Sequence, residues 1–265
     1  MIQVNGKQVK VGNFPNKESF VDVNYIVGKM NYMMFKFEGN EEFIYLKFIV
    51  DDIKIKGGKI ELTIPYLPYS RMDRQEEKRI FSLRSISDFI NSLNVDKVIV
   101  WEHHSEVTSK LIKRLEIRNT TAELAKKFMK ENKLDGLFLV YPDDGAVKRY
   151  KGQIDYEDVI EMKKKRDFNT GKIIDMEISN AKNINKCNTA IIIDDLCSRG
   201  GTFMMTAKLL KEHGVNDIYL VVTHCEDTIF DGDILKTDYI KKVITTDSIL
   251  SKKHEKIDLN KINYI

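Results

Sequence analysis

Cysteine is scarce in this chain: three residues, Cys187, Cys197 and Cys225, with no CxxC and no Cys/His ligand spacing. An odd, unpatterned set of this kind excludes a disulfide framework and a structural zinc module, and makes a reducing cytoplasm the expected compartment. Only four prolines occur, Pro15, Pro65, Pro68 and Pro142, each in a short loop beside an apolar run. None belongs to a Pro/Gly/Ser linker, so two domains would have to be closely joined. No stretch of about eighteen apolar residues is present, which argues against a spanning helix. The start, MIQVNGKQVKVGNF, has no basic region followed by an apolar one, so no secretory leader is expected. Net charge is small as well: forty-three basic and forty acidic residues leave +3. That is too little for a broad positive field, so neither nucleic acid nor a membrane is an expected partner, and any anion must be gripped locally.

What is present suffices for packed cores: 265 residues, 42% hydrophobic and 31% charged. This is a soluble globular composition with room for about two domains. Short apolar runs alternate with stretches of helical periodicity, the pattern of parallel α/β structure. Strands are expected at Ile60–Ile64, Val98–Trp101, Gly136–Tyr141, Ala190–Ile193, Ile218–Thr223 and Lys242–Thr245. Helices are expected at Glu41–Ile55, Ile80–Leu93, Thr120–Asn132 and Thr202–His213, the last closed by Gly214. An internal echo joins the halves: IPYLPYSR (Ile64–Arg71) and IIDDLCSR (Ile192–Arg199) are each a strand, a polar loop with Ser-Arg and a helix. Each is followed by a strand ending near a histidine, His104 or His224.

The strongest local signal is AIIIDDLCSRGGT, Ala190 to Thr202: a buried strand, two carboxylates, then Gly200, Gly201 and Thr202 opening a helix. Backbone N–H groups and the helix dipole at such a turn suit a phosphate, and glycine permits close backbone approach. Asp194 and Asp195 accept hydrogen bonds and repel phosphate, so they are placed for sugar hydroxyls or a metal.

This segment resembles the phosphoribosyl-pyrophosphate loop shared by phosphoribosyltransferases and ribose-phosphate diphosphokinases. IPYLPYSRMDR, Ile64 to Arg74, separates the two, because it is similar to the PYxxYxRxDR segment of the diphosphokinases, the phosphoribosyl pyrophosphate synthetases. VGNFPNKE (Val11–Glu18), WEHHSE (Trp101–Glu106), YPDDGAVKR (Tyr141–Arg149) and KKKR (Lys163–Arg166) resemble that family's nucleotide loop, metal-histidine segment, pyrophosphate-proximal loop and mobile catalytic loop.

The resemblance implies two tandem phosphoribosyltransferase-like (type I) α/β domains, each a mostly parallel sheet flanked by helices. Residues 1–139 would carry the ATP motifs and 140–265 the sugar-phosphate loop, with about the last ten residues packing back on the first domain. It implies Mg²⁺ and ATP, a β,γ-diphosphoryl transfer to the anomeric hydroxyl of ribose 5-phosphate, and a homo-oligomer, dimer or hexamer. Phe14, Asn16 and Glu18 would hold the adenine, Phe14 reaching a neighbouring subunit, with Arg71, Met72, Asp73, Arg74 and His104 on the ATP side. His104 and Asp143 would position magnesium. Lys164 and Arg166 would close over the transferring group. Asp194, Asp195, Cys197, Ser198, Arg199, Gly200, Gly201 and Thr202 would form the sugar-phosphate loop, Cys197 as a small loop residue.

Departures from the pattern are Met72 for glutamine, Asn16 for aspartate, Glu102 in the Asp-x-His position, and Arg199 where threonine is usual. Arg199 turns TGGT into RGGT and adds a bidentate cation suited to a diphosphate. It opens ADP-ribose as an alternative acceptor, as in the phage branch that makes ADP-ribose pyrophosphate for NAD⁺ reconstruction. A catalytically silent regulator and a base-transferring phosphoribosyltransferase are the other readings. The former has no need of Lys164 and Arg166, and the latter leaves Pro65–Arg74 without a role. The chain ends at Ile265, before the terminal helix of most members, which bears on hexamer assembly and on control by ADP and phosphate.

Overall fold

The computed structural model describes residues 1–76, 78–166, 173–182 and 184–261, with the side chains of 166, 173 and 174 outside the description. Two compact units divide the chain, Met1–Arg118 and a second beginning at Asn119. The division falls well before the expected 139/140, because the helix over Thr120–Glu131 packs on strands of the second sheet.

In the first unit the order is β1 (Ile2–Val4), β2 (Lys7–Gln8), β3 (Lys10–Asn13), β4 (Ser19–Asp22), β5 (Met30–Phe35), α1 (Glu42–Ile55), β6 (Lys59–Ile64), α2 (Ser82–Ser92), β7 (Lys97–Trp101), α3 (Val107–Leu111) and β8 (Leu115–Arg118). Six strands form one sheet in the order β2-β1-β5-β6-β7-β8, and β3 with β4 makes a separate hairpin. Strands β5 to β8 are parallel, and β1 adds an antiparallel edge. Tyr45, Leu46, Ile49, Val50 and Ile53 line one face of α1 at helical spacing, and they bury it against Leu62 and Ile64 of β6 in a single core.

The second unit runs α4 (Thr120–Glu131), β9 (Leu137–Tyr141), α5 (Asp144–Tyr150), β10 (Val159–Arg166), β11 (Ile173–Ala181), β12 (Thr189–Cys197), α6 (Gly201–Glu212), β13 (Asp217–Cys225), β14 (Lys242–Thr246) and β15 (Ile257–Asn260). Its sheet order is β11-β10-β9-β12-β13-β14-β15, parallel throughout except for β11. Being covered on both faces, β12 reads as the continuous apolar run TAIII, all buried, as a central parallel strand requires.

Each expected strand and helix is present, within a few residues at its ends. The echo is also real in space: β6–α2–β7 and β12–α6–β13 are the same unit, each with its two strands as parallel neighbours. Gly214 closes α6 at φ +85°, as its position predicts. Four readings need correction. Strand β12 extends past Ile193 to Cys197, because β13 pairs with it as far as Cys225. KKKR is not a loop: it is the end of β10, paired with β11, while the connection at 167–172 lies outside the described residues. His104, expected at the end of a strand, lies beyond β7, which stops at Trp101. Finally, Ile257–Asn260 within the last ten residues belongs to the second sheet, and 262–265 lie outside the described residues. Among the described residues no helix is long and apolar enough to cross a membrane.

Ile192 is fully buried on β12 between β9 and β13. Ile192→Ala should lower the stability of the second unit by about 3 kcal/mol, transfer and cavity combined. Urea unfolding showing a loss below about 1 kcal/mol would contradict this placement of the core.

Candidate functional site

The second unit gathers its charged groups where β12 outruns its neighbour. Pairing of β12 with β9 stops at Ile192–Val140, whereas pairing with β13 continues. From Ile193 onward one edge of β12 is therefore unpaired, and Asp194 and Asp195 occupy that stretch. The Arg149 guanidinium, carried by α5, sits 2.8 Å from Asp195 Oδ1 and 3.5 Å from Asp194 Oδ1. All three side chains are largely buried, so this is a desolvated cluster of two carboxyl groups and one guanidinium. Burial, followed by the like charges of Asp195 and Asp143, pushes Asp194 well above the ordinary carboxylate range, and Arg149 opposes the shift. Burial would lower Arg149, but Asp195, Tyr150 and Asp194 outweigh it and hold the guanidinium firmly charged.

Asp143 caps α5: its Oδ1 accepts from the Ala146 N–H at 2.9 Å, while Lys164 Nζ donates to its Oδ2. Burial alone would raise Asp143, but the Lys164 ammonium and the Ala146 and Gly145 N–H groups bring it below the usual range. Lys164 is thus inside the cluster, whereas Lys165 on the same strand pairs outward with Glu177 at 2.8 Å. Arg166 ends β10 with its side chain outside the described residues.

Beyond Asp195 the chain enters the turn Ser198-Arg199-Gly200 and then α6. Gly200 caps that helix in the left-handed conformation, φ +81°. Gly201 and Thr202 begin α6, where the first N–H groups have no partner within the helix. Arg199 is exposed, with no ion pair among the described residues. Cys197 is the exception among the expected loop residues. It ends β12 with its thiol in the core, and the hydrogen bond with Cys225, then burial, raises that thiol well above the ordinary cysteine range.

In the first unit the residues expected at the nucleotide fall into two groups. Phe14, Asn16 and Glu18 form the tip of the β3–β4 hairpin, closed by Phe14 N–H to Glu18 O at 2.8 Å. Asn16 donates to Glu18 Oε2 at 2.8 Å and its Oδ1 accepts the Glu18 N–H at 3.1 Å. An aspartate at 16 would set two carboxylates against each other there, so the amide fits this tip. Phe14 leaves 53% of its surface exposed beside Phe20. Arg71, Met72, Asp73 and Arg74 follow β6 in a turn set by left-handed Tyr69 (φ +65°) and Met72 N–H to Tyr69 O. Arg74 lies 3.6 Å from Glu76 in an exposed pair worth little.

Of the two expected metal ligands, His104 belongs to the first unit and Asp143 to the second. Among the described residues no cluster of three His, Cys, Asp or Glu is arranged around a metal. Asp143 is a hard oxygen donor held ionised, which fits a magnesium ion that keeps most of its waters and takes one or two carboxylates.

Comparisons with known proteins bear on the chain's relatives and its fold. Residues 183–265 match the family model described as the phosphoribosyl synthetase-associated domain. Over 246 residues the chain is 29% identical to the ribose-phosphate pyrophosphokinase of Sulfurisphaera tokodaii, covering 89% of this chain and 82% of that one. The enzyme of the same name from Shewanella oneidensis is 28% identical over 252 residues, covering 90% and 78%. The crystal structure of phosphoribosylpyrophosphate synthetase from Mycobacterium smegmatis superposes with a TM-score of 0.76 at 18% identity, over 96% of this chain and 86% of that one.

The chain is similar to ribose-phosphate pyrophosphokinases over most of its length.

The structural match shows the fold, the tandem phosphoribosyltransferase-type α/β arrangement that the sequence leads one to expect. Sequence reasoning quoted Arg149 within YPDDGAVKR but gave it no role. Its partner Asp194 lies 45 residues further on, so no local spacing announces the contact.

A carboxyl raised in the folded state destabilises that state at every pH above its unfolded value of about 4. Asp194→Asn keeps the Oδ1 that accepts the Asp195 N–H at 2.9 Å. It should therefore raise the unfolding free energy at pH 7 by about 1 kcal/mol, the gain fading in acid where both states are protonated. A variant less stable than the wild type at pH 7 would contradict the charge balance described here.

Proposed function

We propose that this chain is a member of the ribose-phosphate pyrophosphokinase family and transfers the β,γ-diphosphoryl group of ATP to the anomeric hydroxyl of ribose 5-phosphate, giving AMP and phosphoribosyl pyrophosphate. The observation that carries the reading is the placement of Asp194 and Asp195 on β12 directly ahead of the Gly200-capped start of α6. A sugar phosphate needs both at once: N–H donors for its phosphate at the helix start and carboxylate acceptors for its ring hydroxyls. A bond forms between the anomeric oxygen and the β-phosphorus, the α,β-bridging bond breaks, AMP leaves, and the hydroxyl proton is lost.

No side-chain nucleophile is required, since such transfers depend on in-line positioning and on cations over the developing oxygen charge. Lys164 and Arg166 supply cationic side chains for that purpose. Lys164 rests on Asp143, whose charge in turn reaches Asp194. Asp143 would hold Mg²⁺, which would supply charge neutralisation of the phosphates when bound. Phe14 offers an exposed aromatic face for the adenine, which supports the homo-oligomeric reading.

Arg199 supports a second acceptor. Its exposed guanidinium stands on the sugar-phosphate turn, where ADP-ribose would bring a diphosphate at the same 5′ end.

The deciding experiment offers ATP, Mg²⁺ and either ribose 5-phosphate or ADP-ribose, and follows AMP and product mass. AMP with ribose 5-phosphate is the expected result. AMP with ADP-ribose alone would give the second acceptor its place, and AMP with neither would leave a silent regulator. Arg199→Thr should change the ratio of kcat/KM for the two acceptors about tenfold if the guanidinium contacts the sugar-side phosphates. An unchanged ratio would remove Arg199 from acceptor choice.

A further inference from the structure

The turn that opens α6 is held from behind by the segment that follows β13, residue by residue. The Glu226 N–H donates to Cys197 O at 2.8 Å. Thr228 Oγ1 lies 3.0 Å from Ser198 Oγ and donates to Glu226 Oε2 at 2.9 Å. A hydroxyl has one proton to give, so with Thr228 committed to Glu226, Ser198 is the donor in the pair. Its proton therefore points back into the protein, and Ser198 shapes the turn instead of presenting a donor to a phosphate.

Gly232 carries the next contact. A Cβ built on it would lie 2.0 Å from Arg199 O and 2.9 Å from Arg199 C, inside the backbone itself. Its own backbone is extended, φ −88° and ψ −168°, a conformation open to other residues, so space and not flexibility requires glycine here. At the next position the two sides exchange roles: the Ile234 side chain fills the volume that a Cβ on Gly200 would need, 2.2 Å away. Ile229 and Ile234 are both fully buried, which anchors this segment in the core of the second unit.

We infer that Thr228 and Gly232 are positioning residues for the acceptor's phosphate. They set the shape of the Ser198–Gly200 turn without touching the ligand, and the segment from Glu226 to Ile234 acts as its template. The inference rests on the reading above that this turn receives the sugar phosphate.

The test is calorimetric titration of ribose 5-phosphate into the full-length protein, with steady-state kinetics alongside. Gly232→Ala must displace the Arg199 carbonyl, and a misplacement on the order of 1 Å should weaken ribose 5-phosphate binding and raise its KM about tenfold or more. The KM for ATP should stay within about twofold, a split that a general loss of structure would not produce. Thr228→Val should act in the same direction and Thr228→Ser should restore wild-type affinity, so this pair decides the matter if Gly232→Ala does not fold. Wild-type binding with unchanged affinity in Gly232→Ala and Thr228→Val would overturn the positioning role alone. A wild type that binds no ribose 5-phosphate would overturn the functional reading and the inference with it.

Discussion

The Arg149 guanidinium, 2.8 Å from Asp195 and 3.5 Å from Asp194, makes a pair of adjacent carboxylates tolerable on a strand whose other residues are apolar. Without a cation there, two buried like charges would favour protonation or a distorted strand. The rest of the second unit is arranged around that constraint. Helix α5 must start at Asp143 to bring Arg149 to β12, and the short β9 ladder must end at Ile192 to leave an open edge. Strand β10 must reach Lys164 so that a second cation meets Asp143. The balance remains negative at Asp194, which is raised despite Arg149. A carboxyl raised by burial beside like charges is in keeping with the sugar-binding role proposed for Asp194.

The two units repeat one plan with different chemistry at the equivalent turns. After β6 the chain passes through left-handed Tyr69 into Ser70 and Arg71. After β12 it passes through Ser198 and Arg199 into left-handed Gly200. A tyrosine in that conformation is strained relative to glycine, and its hydroxyl is tied to Asn40, which helps to hold it. The glycine turn lets backbone approach backbone, whereas the tyrosine turn projects a side chain. The same βαβ scaffold thus supports a close-packed glycine turn in one unit and a tyrosine-bearing turn in the other.

Much of this was legible in the sequence, for identifiable reasons. Ile191–Ile193 and Val98–Trp101 announce central parallel strands because burial on both faces leaves no room for polar alternation. Strand β10 was hidden because Lys163, Lys164, Lys165 and Arg166 carry the charge of a solvated loop, yet they sit in an antiparallel ribbon with β11 where Lys165 faces Glu177. Strand β5, read as MNYMMF, lacks the β-branched residues that mark strands, and its partners Ile2–Val4 lie far off in sequence. At the site, the acidic strand end and the Gly-Gly turn could be read directly, since both are local in sequence. Arg149, Thr228 and Gly232 could not be given roles that way. Each acts through a partner many residues away, and an ordinary glycine in EDTIFDGD gives no sign that a carbonyl lies against it.

The departures at the turn follow from this separation of shape and charge. The backbone of Arg199 is clamped through its carbonyl by Gly232, while its side chain projects outward and is exposed. Whether threonine or arginine stands at 199, the carbonyl meets the same surface, so the turn's shape is independent of that choice. The positive charge is an addition at the rim and not a rebuilding of the turn. Asn16 follows the same logic, because its amide completes the hairpin tip through Glu18 without altering the backbone hydrogen bond from Phe14. A fold that fixes its turns through backbone contacts from behind leaves the outward side chains free to vary. In this chain the departures from the family pattern at 16 and 199 fall on such side chains.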